Sequence, residues 1–176
     1  RPGRLNALGV DLRTEMAAAF TEFKDNPGLE VAVFTGTGRA FCAGEDMKEA
    51  LERGAPGSGS RPVKNPFNDG EIDKPVIAAL HGPVMGAGLA FALACDRRFA
   101  DPSTLMCAAM VRLGFAPDCG VSWLLPRVTS LSTSLRMVTT GDILPADECK
   151  AEGLIDELVE EGGALEAATA YAARYA

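Results

Sequence analysis

One histidine, His81, stands in a chain of 176 residues. A zinc site with two histidine ligands, or a Cys/His finger, cannot be assembled from it. Long apolar runs are missing too. Stretches such as Leu89 to Cys95 fall far short of the roughly 20 residues that span a bilayer. No basic run occurs, and 17 Lys and Arg against 24 Asp and Glu leave a formal charge of −7. That balance argues against nucleic acid or an anionic membrane surface as a partner. The five cysteines, Cys42, Cys95, Cys107, Cys119 and Cys149, form no CxxC pair and are odd in number. They are expected to be reduced packing residues of a cytoplasmic protein. A catalytic cysteine served by His81 is the alternative, and no local signature supports it. The chain opens on Arg1-Pro2 without an initiator Met or a charged-then-apolar leader, so residues are expected to precede it.

What is present is a chain 47% hydrophobic, long enough for a single domain over residues 1–176 with a proper core. Leu12, Met16, Phe20 and Phe23 recur at helical spacing and stop at Asn26-Pro27-Gly28. Val31 to Thr35 reads as a short apolar strand, followed by a turn through Gly36 to Arg39. A second helix is expected over Asp46 to Arg53. Gly54 to Gly70 holds four glycines and three prolines and is expected to be a mobile loop within the domain, of the kind that serves as a lid. Val76 to Leu80 is a buried-type strand, followed by Gly82, Gly86, Gly88 and an Ala/Leu/Phe helix to Cys95. Weaker strand signals lie at Arg97 to Ala100, Leu105 to Ala108 and Ile155 to Val159. Helices are expected at Leu131 to Thr139, Pro145 to Glu152 and Ala164 to Tyr175. Strands alternating with helices predict an α/β fold with parallel pairing.

Two strand-to-helix junctions could carry chemistry: RAFCAGEDMKEA, Arg39 to Ala50, and KPVIAALHGPVMGAGLAFALACD, Lys74 to Asp96. Amides at a helix start lack an intrahelical partner and carry the positive end of the dipole, so each junction can hold a negative oxygen. Tight packing alone also accounts for glycine at such turns. A dinucleotide site at Gly86-Ala87-Gly88 is disfavoured, because Phe91 occupies the sixth position and no acid sits about 20 residues beyond Gly88. No phosphate-loop pattern GxxxxGK[ST] occurs.

Taken together, FCAGEDMKE and KPVIAALHGPVMGAGLAFALACD resemble the crotonase, or enoyl-CoA hydratase/isomerase, family. RPGRLNAL resembles its entry segment, LGFAPDCGVSWLLPRV its third block, and TGDILPADECKAEGLIDELV the stretch before its C-terminal helices. The resemblance covers almost the whole chain in the family's order. It implies a crotonase-like ββα spiral core, with the family's first strands and C-terminal helical region lying outside this sequence. It also implies an acyl-CoA thioester substrate and no metal, with coenzyme A entering as part of the substrate rather than as a cofactor. Assembly as a homotrimer or dimer of trimers is implied as well. The thioester oxygen would sit between the backbone amides of Glu45 and Ala87 and become an enolate. Glu45, Asp46, Met47 and Lys48 would lie along the bound CoA, with Arg4 and Ala43 near its nucleotide and pantetheine parts. The carboxylates of Glu45 and Asp46 are expected to serve the helix start rather than the substrate.

Hydratases of this family use two glutamates. Aligned on the family's blocks, those positions are Ala90 and Met110, which accept no proton but would still line the substrate. Asp118 falls where isomerase-type members carry their acid or base, and its block is similar to that of epoxyphenylacetyl-CoA and Δ3,Δ2-enoyl-CoA isomerases. Burial beside an apolar pocket would raise its pKa towards the working range. The alternative for Asp118 is a cap on the helix beginning near Cys119. Isomerisation is therefore expected, against hydration through an unplaced carboxylate or a non-catalytic acyl-CoA-binding role. His81 is expected to be structural and Trp123 to be core or pocket wall.

Overall fold

In the first helix, α1 (Val10–Asp25), Ala17, Phe20 and Phe23 are buried, with Leu12 and Met16 packed beside them. Residues with this spacing fall on one face of a helix. The helix stops at Asn26, whose backbone turns extended because Pro27 excludes the helical conformation from the residue before it. The computed structural model describes residues 1–53, Phe67 and 69–175. The expected loop over Gly54 to Gly70 therefore lies outside the described residues, apart from Phe67, Asp69 and Gly70.

After α1 come β1 (Ala32–Thr35), α2 (Met47–Arg53), β2 (Val76–Leu80), β3 (Pro83–Met85) and α3 (Ala87–Ala94). Next are β4 (Arg97–Ala100), β5 (Leu105–Cys107), a 3-10 turn Ala109–Leu113, α4 (Val121–Val128) and α5 (Leu131–Thr140). The chain continues through β6 (Leu144–Pro145), α6 (Ala146–Ala151), β7 (Glu157–Leu158) and α7 (Ala164–Ala172). One sheet runs β1-β2-β4-β7, parallel throughout; the other runs β3-β5-β6, with β3 parallel and β6 antiparallel to β5. This is a mixed α/β architecture.

The continuous apolar run of β2 has a packing cause. Ile77 and Ala79 face α7, where Ala164, Ala168 and Ala172 cover them. Val76, Ala78 and Leu80 face the main core on the other side. A strand buried on both faces has no solvent side on which to place polar residues.

The sequence reading misses β3, having treated its residues as part of a glycine-rich turn. They become a strand because partners reach them from both sides: Val84 bridges to Cys42, and β5 pairs along the other edge. Pro83 is tolerated at the first strand position. β7 is shorter than expected because Ile155 turns into the core and Asp156 caps the β4 start, accepting from the Arg98 amide at 2.8 Å.

Candidate active site

The first junction is threaded between two backbones. The Phe41 and Cys42 amides donate to the carbonyls of His81 and Pro83, at 2.8 and 3.1 Å. On the entry-segment side, Ala43 N–H donates to Leu5 O, Leu8 N–H to Gly44 O and Asp46 N–H to Leu8 O. Leu8 thus pairs with the residues on either side of Glu45 in a parallel bridge. In that pattern the Glu45 N–H points away from Leu8.

At the second junction Gly86 donates its N–H to Cys107 O at 3.0 Å, and α3 opens at Ala87. The Ala87 amide lies in the first turn, with no carbonyl one turn back to accept it. The two junctions are in contact. Gly44, at φ +93°, packs so that an added Cβ would lie 3.0 Å from Met85 O and 3.7 Å from the Ala87 nitrogen.

The acidic pair at the first junction divides its work. Asp46 Oδ1 accepts from the Glu49 amide at 3.3 Å and Oδ2 meets Arg1 Nη2 at 3.0 Å. The Glu49 amide first, then Arg1, holds its carboxyl below the ordinary carboxylate range. Asp46 therefore serves the start of α2, which opens at Met47, just after the expected Asp46. Glu45 instead forms an ion pair with Arg13 of α1.

A cavity of about 390 Å³ opens beside Ala87. On one wall α3 presents Ala87, Ala90 and Ala94, with Phe91 alongside. Phe67 and Ile72 form another wall, and Cys119, Gly120, Trp123 and Leu124 close the α4 side. Among the described residues that line it, Arg13 carries the only formal charge. Trp123 is a wall of the cavity and is 58% exposed, with the Arg127 guanidinium 3.8 Å over its ring.

Of the residues singled out from sequence, Ala87 and Ala90 line this cavity. Met110 is buried in the core within the 3-10 turn and does not. Arg4 and Lys48 are exposed, Ala43 and Met47 half-buried. These four and Asp46 are not among its described lining residues. Asp118 is exposed on the turn before α4, against the expected burial. It does not cap α4 with its side chain: the helix starts later, at Val121, behind Gly120. Its carbonyl accepts from the Val121 amide at 2.9 Å, and its side chain neighbours the Cys119 thiol.

Cys119 itself lines the cavity, with φ +51°. A left-handed non-glycine residue costs on the order of 1–3 kcal/mol, which the surrounding turn must hold in place. Burial, then the neighbouring Asp118, pushes its thiol up to about 11. The other four cysteines are buried and all five are free thiols. Sequence reasoning placed neither Cys119 nor Arg13 at the site. Adjacency to Asp118 was the available signal for Cys119, whereas Arg13 has no local signal. His81 Nε2 donates to Gly38 O at 3.1 Å, tying the end of β2 to the turn after β1. Among the described residues, no group of His, Cys, Asp and Glu could hold a metal ion, and no helix is long and apolar enough to cross a membrane.

The pattern that defines the enoyl-CoA hydratase/isomerase family matches residues 1–176. The chain belongs to this family. Over 171 residues it is 31% identical to the 1,2-epoxyphenylacetyl-CoA isomerase of Escherichia coli (strain K12), covering 92% of this chain and 64% of the relative. It is 29% identical to the (E)-benzylidenesuccinyl-CoA hydratase of Thauera aromatica, covering 100% of this chain and 70% of that protein. The crystal structure of an enoyl-CoA hydratase from Polaromonas sp. JS666 superposes with a TM-score of 0.87 at 30% identity, over 99% of this chain and 70% of the other. The chain thus spans just under two thirds of the length of the Escherichia coli relative. Both an isomerase and hydratases stand among its relatives.

Proposed function

We propose that the protein is an acyl-CoA enzyme that holds a thioester enolate between the Glu45 and Ala87 amides and shifts a double bond by proton transfer through Asp118. The observation that carries this reading is the close approach of the Gly44 backbone to Met85 and the start of α3, which sets the first junction beside Ala87 of the cavity wall. Two preorganised N–H donors stabilise the developing enolate oxygen, and removing one such donor typically costs about 10²–10³ in rate. Isomerisation needs one group that takes a proton from one carbon and returns it to another. Ala90 and Met110 can do neither. Asp118 is the carboxylate next in sequence to a residue of the cavity wall, Cys119. The same reading includes no cofactor beyond the CoA of the substrate, a cytoplasmic setting, and assembly as a homotrimer or dimer of trimers, which sedimentation checks.

Hydration is the second reading. It draws on the Glu45 carboxylate, the ion-pair partner of the cavity-lining Arg13, and on the hydratases among the relatives. Purified protein given 2-enoyl-CoA and 3-enoyl-CoA thioesters separates the two. Conjugation of the 3-enoyl form, lost in Asp118→Asn, supports isomerisation. Turnover unimpaired in that variant sinks the Asp118 role, water addition to the 2-enoyl form favours hydration, and binding without turnover leaves a non-catalytic acyl-CoA-binding protein.

A further inference from the structure

Resting on the enolate reading, we infer that Arg13 is a positioning residue for the reaction: it takes up the Glu45 carboxylate, so that the enolate charge forms beside a neutral ion pair. The residue that supplies one amide of the candidate hole carries a negative side chain. Bond lengths keep that carboxylate within roughly 6 Å of its own amide nitrogen. An oxygen held by the same amide lies about 2.9 Å from that nitrogen. Two negative charges so close repel, and the poorly screened setting of a cavity strengthens the effect. Without a cation beside it, the Glu45 carboxylate would oppose the charge that its amide stabilises.

The fold supplies that cation from a distant stretch of chain. Arg13 Nη2 meets Glu45 Oε2, with both side chains 29% exposed. Arg13 also lines the cavity, as the only formal charge among its described lining residues. The start of α1 is fixed against both sides of Glu45. Leu8 pairs with Gly44 and Asp46, the Val10 amide donates to Glu49 Oε2 at 3.0 Å, and the Arg13 amide donates to Gly9 O at 3.1 Å. The guanidinium therefore reaches Glu45 from a backbone already anchored to the first junction. Helix stability gives no reason for arginine there, since a cation near a helix N-terminus faces the positive end of the dipole. The two charges are also felt beyond the pair. Burial raises the thiols of Cys42, in the first junction, and of Cys119, in the cavity wall. At both, the Arg13 charge favours the thiolate and the Glu45 charge opposes it. An enolate forming at that junction is subject to the same two influences.

The test is steady-state kinetics of the purified protein on 3-enoyl-CoA and 2-enoyl-CoA thioesters. Arg13→Gln removes the cation and keeps the carboxylate, and is expected to lower kcat about tenfold or more with KM within about threefold. The double variant Arg13→Gln/Glu45→Gln is expected to regain about fivefold of that loss, because neither charge then remains. Arg13→Lys, which keeps the charge, should retain at least about three times the kcat of Arg13→Gln. A purely structural brace is broken equally by either substitution and is not mended by both. Equal losses in Arg13→Gln and Glu45→Gln, no recovery in the double variant, or an unaltered kcat in folded Arg13→Gln would each overturn the inference and leave the enolate reading standing. Absence of turnover of both thioesters by the unaltered protein overturns both. Should circular dichroism show that Arg13→Gln does not fold, Arg13→Met, which keeps the apolar stem, takes its place with the same expected loss and recovery.

Discussion

Gly88 stands so close to Cys42 that an added Cβ would lie 2.4 Å from the Cys42 carbonyl oxygen and 2.8 Å from its Cβ. This contact presses the start of α3 against the strand-like segment that leads to Glu45. Gly88→Ala is therefore expected to force backbone apart where no flexible side-chain end can yield. Overpacking of this kind costs about 1–3 kcal/mol. Urea unfolding with unchanged slope should show that loss, and acyl-CoA turnover should fall further than stability alone requires.

Asp118→Asn keeps shape and hydrogen-bonding capacity but removes the group that exchanges a proton. Conversion of a 3-enoyl-CoA is expected to drop about 10²–10⁴-fold in kcat. KM should change little, because Asp118 is exposed and outside the described cavity lining. Steady-state kinetics on the conjugated product would separate the two parameters.

Glu45→Gln tests the side chain while sparing the backbone N–H. Its ion pair with Arg13 joins two partly exposed groups, so stability should fall by about 0–1 kcal/mol at most. Isomerisation is expected to persist within a few-fold. A loss comparable to that of Asp118→Asn, measured in the same assay, would move the proton-transfer role to Glu45.

Cys119 is the exposed thiol of the five. A maleimide reagent should label it first in the folded protein, as peptide mapping would show. Its pKa is raised to about 11 by burial and Asp118, so the thiol is the dominant form at neutral pH. The labelling rate should climb about tenfold per pH unit and keep rising above the ordinary thiol value of 9.0. A plateau below that value would contradict the raised pKa. Bound acyl-CoA should slow labelling, because the thiol lines the cavity.

Much of the fold is legible residue by residue. The period of Leu12, Met16, Phe20 and Phe23, and the stop before Pro27, reflect backbone rules that act over a few residues. The unbroken apolar run of β2 announces a strand covered on both faces. The glycines at 44, 86 and 88 likewise mark both junctions, and the order of blocks carries the family. These signals are local, or are combinations that read along the chain.

Elsewhere the deciding quantity is proximity between distant residues. β3 exists because Cys42 and β5 arrive on its two edges. Arg13 reaches the site because α1 packs beside the first junction, and its guanidinium meets Glu45. Asp118 stays outside the described cavity lining while its exposed neighbour Cys119, at φ +51°, is part of it. Pattern and propensity act within a turn or a strand. Which two junctions touch, and which side chain faces the space between them, depends on the packing of the whole core.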